Sequence, residues 1–207
     1  MIKTSTSNQT IYKRMRQNFL FETMTILSSD DRSFLMHRLP MAMAAKKVCR
    51  TVWVICKDTG KCEEIRQVGF DVIDLPIGDA PLNIFANVKM LRQLTHIYMS
   101  MQPDLIYHSS VQMSFLGSVA RLNLANIPSI NAITGVGYLF SSEQLKAKVL
   151  RWALSPVLQF LWRRAGTVML FQNLDDRAVF IKRGLSAEHA PLIPGSGVDD
   201  DKFRPVA

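Results

Sequence analysis

Three features of the 207-residue chain predict an α/β fold with a doubly wound, mostly parallel Rossmann-like sheet. Short β-rich runs alternate with longer segments of helical period from Glu22 to Ile193, the signature of successive βαβ units. Val52-Trp53-Val54-Ile55-Cys56 is a near-continuous apolar run, which suits a strand covered on both faces. The segments that follow the strands are rich in hydroxyl, amide, glycine and acidic residues, as a polar cleft at the strand ends requires.

The first strand covers Thr23–Leu27 and ends in the polar turn Ser28-Ser29-Asp30-Asp31. A helix from about Ser33 to Lys47 carries Leu35, Leu39, Ala42, Met43 and Lys46 at helical spacing. Val52–Cys56 is the second strand, a short helix over Cys62–Val68 reaches Gly69, and Phe70–Ile73 is the third strand. A helix from about Leu82 to Met101 stops before Pro103, which has no N–H to continue it. Asp104–His108 is a strand, and the helix after it holds Phe115, Leu116, Val119 and Leu122. Ser129–Ile133 and Thr167–Phe171 are strands on either side of a long helix, Ser142–Arg164. A helix over Leu174–Arg183 and a strand over Ala190–Ile193 close a series of about seven strands. The expected organisation is a loosely packed lead-in over 1–21, one domain over 22–193, and a Gly-, Pro- and Asp-rich hinge over 194–207.

Hydrophobic residues make up 48% of the chain, too many for a disordered segment, and the length suffices for a core without disulfides. No apolar run approaches the ~20 residues of a membrane-spanning helix. Lys+Arg 25 against Asp+Glu 17 leaves a formal charge of +8. That balance points either to a polyanionic partner or to a solvated basic surface. No RNA- or DNA-module pattern accompanies it, so nucleic acid is not an expected partner. Cys49, Cys56 and Cys62 form no C-x-x-C pair and have no histidine at zinc-ligand spacing, so reduced thiols and no metal are expected. The first dozen residues lack a signal peptide's apolar core, which gives a cytosolic or cytosol-facing expectation.

The strand-end segments are Ser28–Arg32, His108–Ser110, Thr134–Tyr138, Gln172–Asp175 and Gly195–Asp199. Where a dinucleotide-binding domain has G-x-G-x-x-G, this chain has Ser28-Ser29-Asp30-Asp31-Arg32-Ser33. Two carboxylates there repel a pyrophosphate unless Arg32 offsets them. Walker A, G-x-S-x-G and H-E-x-x-H patterns are also missing, so NAD-dependent and P-loop chemistry drop out. Thr134-Gly135-Val136-Gly137-Tyr138 directly follows a strand. It is either a tight turn or a backbone cradle for an anionic oxygen. His37 and His108 each have two readings, a cleft-facing hydrogen-bonding group or base, and a packing residue. Asp175-Asp176 open a helix, where the dipole favours acidic side chains without any function. Leu145–Arg164 is apolar around most of its circumference, with basic residues at both ends and Pro156 inside. It reads as an interfacial helix on anionic lipid or as a core helix meeting another domain.

Together these segments carry a family resemblance. Phe34-Leu35-Met36-His37-Arg38-Leu39-Pro40-Met41-Ala42 resembles the first-helix segment of family 4 glycosyltransferases that build bacterial surface polysaccharides such as O-antigen or capsule. Asn131–Phe140 is similar to that subfamily's T-G-x-G-Y loop. Phe171–Arg177, then Ile193–Asp199 with Phe203-Arg204-Pro205, resemble its later signatures. The matches keep their order from about Thr23 to Pro205.

The resemblance implies the N-terminal half of a GT-B fold, in which two Rossmann-like domains face each other across a cleft. The matching half receives the acceptor, and the other, with its paired-glutamate motif, holds the nucleotide sugar. The chain is thus expected to be half of a retaining glycosyltransferase of hexosyl or N-acetylhexosaminyl type, inactive alone. No cofactor or metal is implied beyond the donor, expected to be UDP-linked. The acceptor is expected to be a polyprenyl-diphosphate-linked saccharide or an oligosaccharide. By motif match Thr134 and His37 are the expected catalytic residues. Gly135, Val136 and Gly137 face the donor's sugar and diphosphate, Tyr138 shapes the acceptor mouth, and Arg38 lies with His37 on the acceptor side. His108 and Asn173 are expected at substrate from strand ends, and Gly197 and Asp199 at the hinge. Many relatives carry a histidine near the T-G-x-G loop where this chain has Thr134, and the glycine-rich turn after the first strand is replaced by Ser29-Asp30-Asp31. Peripheral contact with the inner face of the plasma membrane through Leu145–Arg164 suits a lipid-linked acceptor. The alternative is a non-catalytic membrane-docking, acceptor-binding subunit of a split transferase.

Overall fold

The structure is a computed structural model that describes residues 19–77, 84–124, 127–135 and 144–195. Strand β1 (Phe21–Asp30) leads through helices α1 (Asp31–His37) and α2 (Leu39–Ala45) to β2 (Cys49–Lys57), then α3 (Cys62–Gln67) and β3 (Asp71–Asp74). Helix α4 (Ile84–Met101) carries the chain to β4 (Leu105–Ser109), followed by α5 (Val111–Ala120), β5 (Ser129–Ile133), α6 (Leu145–Trp162), β6 (Thr167–Phe171) and α7 (Leu174–Ile181). The six strands pair in parallel in the order β3-β2-β1-β4-β5-β6, which is the doubly wound arrangement.

Alternate residues of a strand point to opposite faces, and β1 feeds two cores in this way. Met24 and Ile26 join Phe34, Ala42, Val54 and Ile65 under α1–α3. Leu27 joins Met90, Leu94, Tyr98 and Leu116 under α4 and α5. The four-residue spacing of Met90, Leu94 and Tyr98 makes one stripe along α4, which faces the sheet. A third cluster packs Leu158, Leu161 and Trp162 of α6 against Met169, Phe171 and Phe180. Each such fully buried apolar side chain contributes roughly 1.5–3 kcal/mol relative to exposure.

Two elements differ from the sequence reading. The helix expected over Ser33–Lys47 is divided at Arg38, whose N–H closes α1 on Phe34 O at 2.8 Å and whose carbonyl accepts from Ala42 N at 2.8 Å. Pro40 causes the break, because it has no N–H for the carbonyl of Met36 and its ring crowds that carbonyl. The strand expected at Ala190–Ile193 is reduced to a bridge between Phe171 and Leu192. Pro191 and Pro194 flank it without N–H groups that could extend the ladder. The lead-in and the hinge fall mostly outside the described residues, although β1 already begins at Phe21.

Gly117 fixes the distance between α5 and the sheet. A Cβ placed on it would lie 2.1 Å from His108 Nε2, so the imidazole occupies the space that any larger residue needs. Gly117→Ala is therefore expected to lower stability by about 1–3 kcal/mol through overpacking. Urea denaturation measures this, and an unchanged midpoint contradicts the placement of the ring.

Candidate functional site

The strand order reverses between β1 and β4, and a doubly wound sheet opens its crevice there, at the carboxyl ends of the strands. Ser28, Ser29 and Asp30 end β1, and Ser109 and Ser110 end β4. Ser110 has φ 129° and ψ 165°, a conformation nearly confined to glycine. Three hydrogen bonds hold it there. Its N–H donates to Ala132 O at 3.0 Å, its carbonyl accepts from Ser114 N at 2.9 Å, and its Oγ caps α5 by accepting from Met113 N at 3.2 Å. The first bond ties the amino terminus of α5 to β5 two residues before Thr134. Thr134 and Gly135 are exposed immediately after β5, and nothing lies within 4 Å of where a Cβ on Gly135 would be.

The two aspartates after β1 face inward to hydrogen bonds. Asp30 caps α1, its Oδ1 accepting from Ser33 N at 2.7 Å and its Oδ2 from Ser33 Oγ at 2.8 Å. Asp31 is fully buried. Its Oδ1 accepts from Arg32 N at 2.7 Å and from Thr59 Oγ1 at 2.5 Å, and its Oδ2 from Thr59 N and Lys61 N, both at 2.7 Å. Burial alone would raise the Asp31 carboxyl, but the bonds from Thr59, Lys61 and Arg32 outweigh it and hold it down to about 2. The carboxylate thus clamps the loop after β2 onto the turn after β1. The potential metal-ligand group among the described residues is Asp31, Asp58 and Cys62. Asp31's oxygens there are already taken by N–H and O–H donors, and burial pushes the Cys62 thiol up to about 11.

His108 lies on the opposite face of the sheet from α1, fully buried. Its Nδ1 is 2.6 Å from Asn131 Oδ1 and its Nε2 is 3.1 Å from the Tyr98 hydroxyl. An amide oxygen only accepts, so Nδ1 carries the proton and Nε2 accepts from Tyr98. Burial pushes the imidazole down to about 4 against the upward pull of the Asn131 bond, with the Arg121 charge adding to the fall. The ring is therefore neutral at physiological pH and offers no atom to the crevice. His37 is exposed at the far end of α1, about 9 Å of helix from Asp31. Arg38 is 7% exposed, and its charge acts on the buried Tyr107 phenol. Asn173 caps α7, its Oδ1 accepting from Asp176 N at 2.7 Å, and the two acidic residues that follow it stand in the first helical turn. Val136, Gly137, Tyr138, Gly197 and Asp199 lie outside the described residues. The structure thus gathers Ser110 and Thr134 at neighbouring strand ends and separates His37 and His108 from them. Ser110 was not singled out in the sequence, although a serine directly before an apolar helical run is a readable cap.

Asp31→Asn turns an NH2 group toward two backbone N–H donors and is expected to cost on the order of 2 kcal/mol at neutral pH. The folded carboxyl sits at about 2, below the ~4 of an unfolded aspartate. Its contribution is therefore complete above ~pH 4 and is lost as pH falls through the folded value. Urea unfolding across that range measures it, and a mutational penalty that does not shrink toward low pH contradicts the clamp.

Residues 25–173 match the model of a family described as glycosyl transferase 4-like. The chain is 24% identical over 181 residues to N,N'-diacetylbacillosaminyl-diphospho-undecaprenol alpha-1,3-N-acetylgalactosaminyltransferase of Campylobacter jejuni, covering 87% of this chain and 48% of that protein. Similar solved structures include Anabaena Alr3699/HepE in complex with UDP-glucose, at TM-score 0.58 and 16% identity over 86% of this chain and 45% of the other. Acinetobacter baumannii MurG aligns at TM-score 0.54 and 12% identity over 88% and 47%. UDP-N-acetylglucosamine 2-epimerase from Rickettsia bellii aligns at TM-score 0.59 and 14% identity over 84% and 45%. At these identities the structural likenesses establish the Rossmann-like fold alone, and the chain spans about half the length of the curated relative it matches. The family match covers most of the sheet, from β1 to the cap of α7, and the chain belongs to the glycosyl transferase 4-like family.

Proposed function

We propose that the chain is the N-terminal, acceptor-binding half of a retaining glycosyltransferase that moves a sugar from a UDP-linked donor to a saccharide on a lipid diphosphate in polysaccharide biosynthesis. The observation that carries this reading is the family match over residues 25–173, which takes in Thr134, Asn173 and the described strand-end loops from β1 to β6. The C. jejuni relative is named for an acceptor on undecaprenol diphosphate, which supports a lipid-linked acceptor here. In this reading the Thr134–Gly137 loop faces the donor's sugar and diphosphate, Tyr138 shapes the acceptor mouth, and Gly197 and Asp199 belong to the hinge. The bond from the sugar's anomeric carbon to the diphosphate oxygen breaks as the acceptor oxygen adds, and the hydroxyl proton passes to the departing diphosphate. The protein's task is to stabilise the charge left on the departing diphosphate. The amino terminus of α5, held by Ser110, supplies a positive dipole end at that edge of the sheet, and no metal is required.

Helix α6 supplies the membrane contact. Leu145, Trp152 and Phe160 are 77%, 79% and 63% exposed, and steps of seven and eight residues put them on one face. Arg163 and Arg164 continue that end of the helix, their guanidinium groups donating to backbone carbonyls, including Gly184 O at 2.7 Å and Leu124 O at 3.1 Å. An apolar face ending in fixed cations suits the surface of anionic lipid. Among the described residues no helix is long and apolar enough to cross a membrane.

The test of activity is sugar transfer from UDP-N-acetylhexosamine to an undecaprenyl-diphosphate-linked saccharide, with the donor-binding half supplied. Transfer is expected, reduced roughly tenfold or more by Thr134→Ala, and its absence with every donor-binding half tried contradicts the reading. Flotation tests the surface. The protein should rise with phosphatidylglycerol vesicles and not with phosphatidylcholine vesicles, and Trp152→Glu with Phe160→Glu should abolish the rise. Equal flotation on both lipids counts against α6 as the contact.

A further inference from the structure

Cys56 is the penultimate residue of β2 and Cys62 the first of α3. Both are fully buried, and their Sγ atoms lie 3.9 Å apart. The intervening loop, Lys57 to Lys61, is longer than the roughly two to four residues of common zinc-binding cysteine pairs. It turns back because Gly60, at φ 100°, donates its N–H to Asp58 Oδ1 at 2.7 Å, a backbone conformation that favours glycine. Asp58 is exposed, and its carboxylate accepts from the Cys62 thiol, which in turn accepts from Cys56. One Asp58 oxygen, one Asp31 oxygen and Cys62 Sγ lie within 4.8 Å of one another. A row of possible ligand atoms thus runs from the core beside β2 out to solvent. The third cysteine, Cys49, stands apart from it, with its Sγ 3.9 Å from Met24 Sδ.

Burial pushes both thiols up, and the charges of Asp31, Asp58 and Asp74 around them add to the rise. Thiols so placed are poor nucleophiles, which argues against a covalent or redox role. A divalent cation reverses that balance, because it deprotonates the thiols it binds and is attracted by the same carboxylates. On a tetrahedral ion with Zn–S bonds of about 2.3 Å, two sulfurs stand ~3.8 Å apart, close to the 3.9 Å already held here. We propose that Cys56, Cys62 and Asp58 form a site for a thiophilic divalent cation of the zinc class, with two sulfurs inside the core and one carboxylate oxygen facing solvent. Asp31 is not a ligand, since hydrogen bonds from Arg32, Thr59 and Lys61 occupy both its oxygens, and it supplies charge alone. Water completes the coordination. Binding releases the two thiol protons to solvent and bridges the end of β2 to the start of α3. It thereby fixes the loop whose Thr59 and Lys61 N–H groups hold Asp31. The site is structural and independent of the transferase reading.

The experiment is titration of the purified, reduced chain with Cd2+, read by cadmium–thiolate charge-transfer absorption, followed by displacement with Zn2+. Wild type should show a single saturable site that Zn2+ empties of Cd2+. Cys56→Ser with Cys62→Ser should abolish the absorption, and Cys49→Ala should leave it as in wild type. Asp58→Asn should keep the absorption and weaken binding about tenfold or more. Zn2+ should raise the melting temperature of wild type and of Cys49→Ala, because it binds the folded site, and should leave that of the double serine variant unmoved. No saturable absorption in wild type, absorption that survives the double substitution, absorption lost in Cys49→Ala, or a wild-type melting temperature indifferent to Zn2+ overturns the proposal. If the double serine variant does not fold, Asp58→Asn decides, since its position is exposed: weakened binding there supports the site, and unchanged affinity overturns it.

Discussion

Every neighbouring strand pair in the sheet is parallel, and parallel strands cannot be joined by tight hairpins. Each strand must therefore return through a crossover, and the crossovers release all the strands at the same edge. Asp31, Ser110, Thr134 and Asn173 are far apart in the chain, yet each follows a strand and arrives at that edge. The jump from β3 to β4 across β2 and β1 opens the crevice between β1 and β4. The position of the site follows from strand direction before any side chain is considered.

Buried polar groups then give that edge its shape. The Asp31 carboxylate locks the loop after β2 to the turn after β1. The Tyr98–His108–Asn131 chain joins α4, β4 and β5 through one neutral imidazole. Arg121 ties the turn after α5 to the start of β6 through Thr167. In a low-dielectric interior such hydrogen-bonded groups hold a single arrangement, because another arrangement strands further donors or acceptors.

The fold class was legible because apolar runs and helical periods alternate without interruption. Ser129–Ile133 and Thr167–Phe171 were bounded to the residue, since Pro128 and Gly166 punctuate their starts. The break at Arg38 was missed because Leu39 and Ala42 keep the helical period across Pro40. The motifs offered the Thr134 loop and the His37-Arg38 pair as candidates, and the family match agrees with the family resemblance. Side-chain direction was not legible. Whether His108 faces the crevice or the far helices depends on strand register, which is a tertiary property, and the fit against Gly117 settles it inward. Asp30 and Asp31 read in sequence as a barrier to an anion. In the structure both are structural acceptors, Asp30 from Ser33 in the same turn and Asp31 from Thr59 and Lys61 on the loop after β2.

The proposed division of labour places the acceptor on this sheet and the nucleotide sugar on a second one. Calorimetric titration of the purified chain with UDP-N-acetylhexosamine tests that division most directly. Binding that is absent or no tighter than millimolar is the predicted result. Micromolar binding would mean that this sheet carries its own nucleotide-sugar site, and would contradict its assignment as the acceptor half.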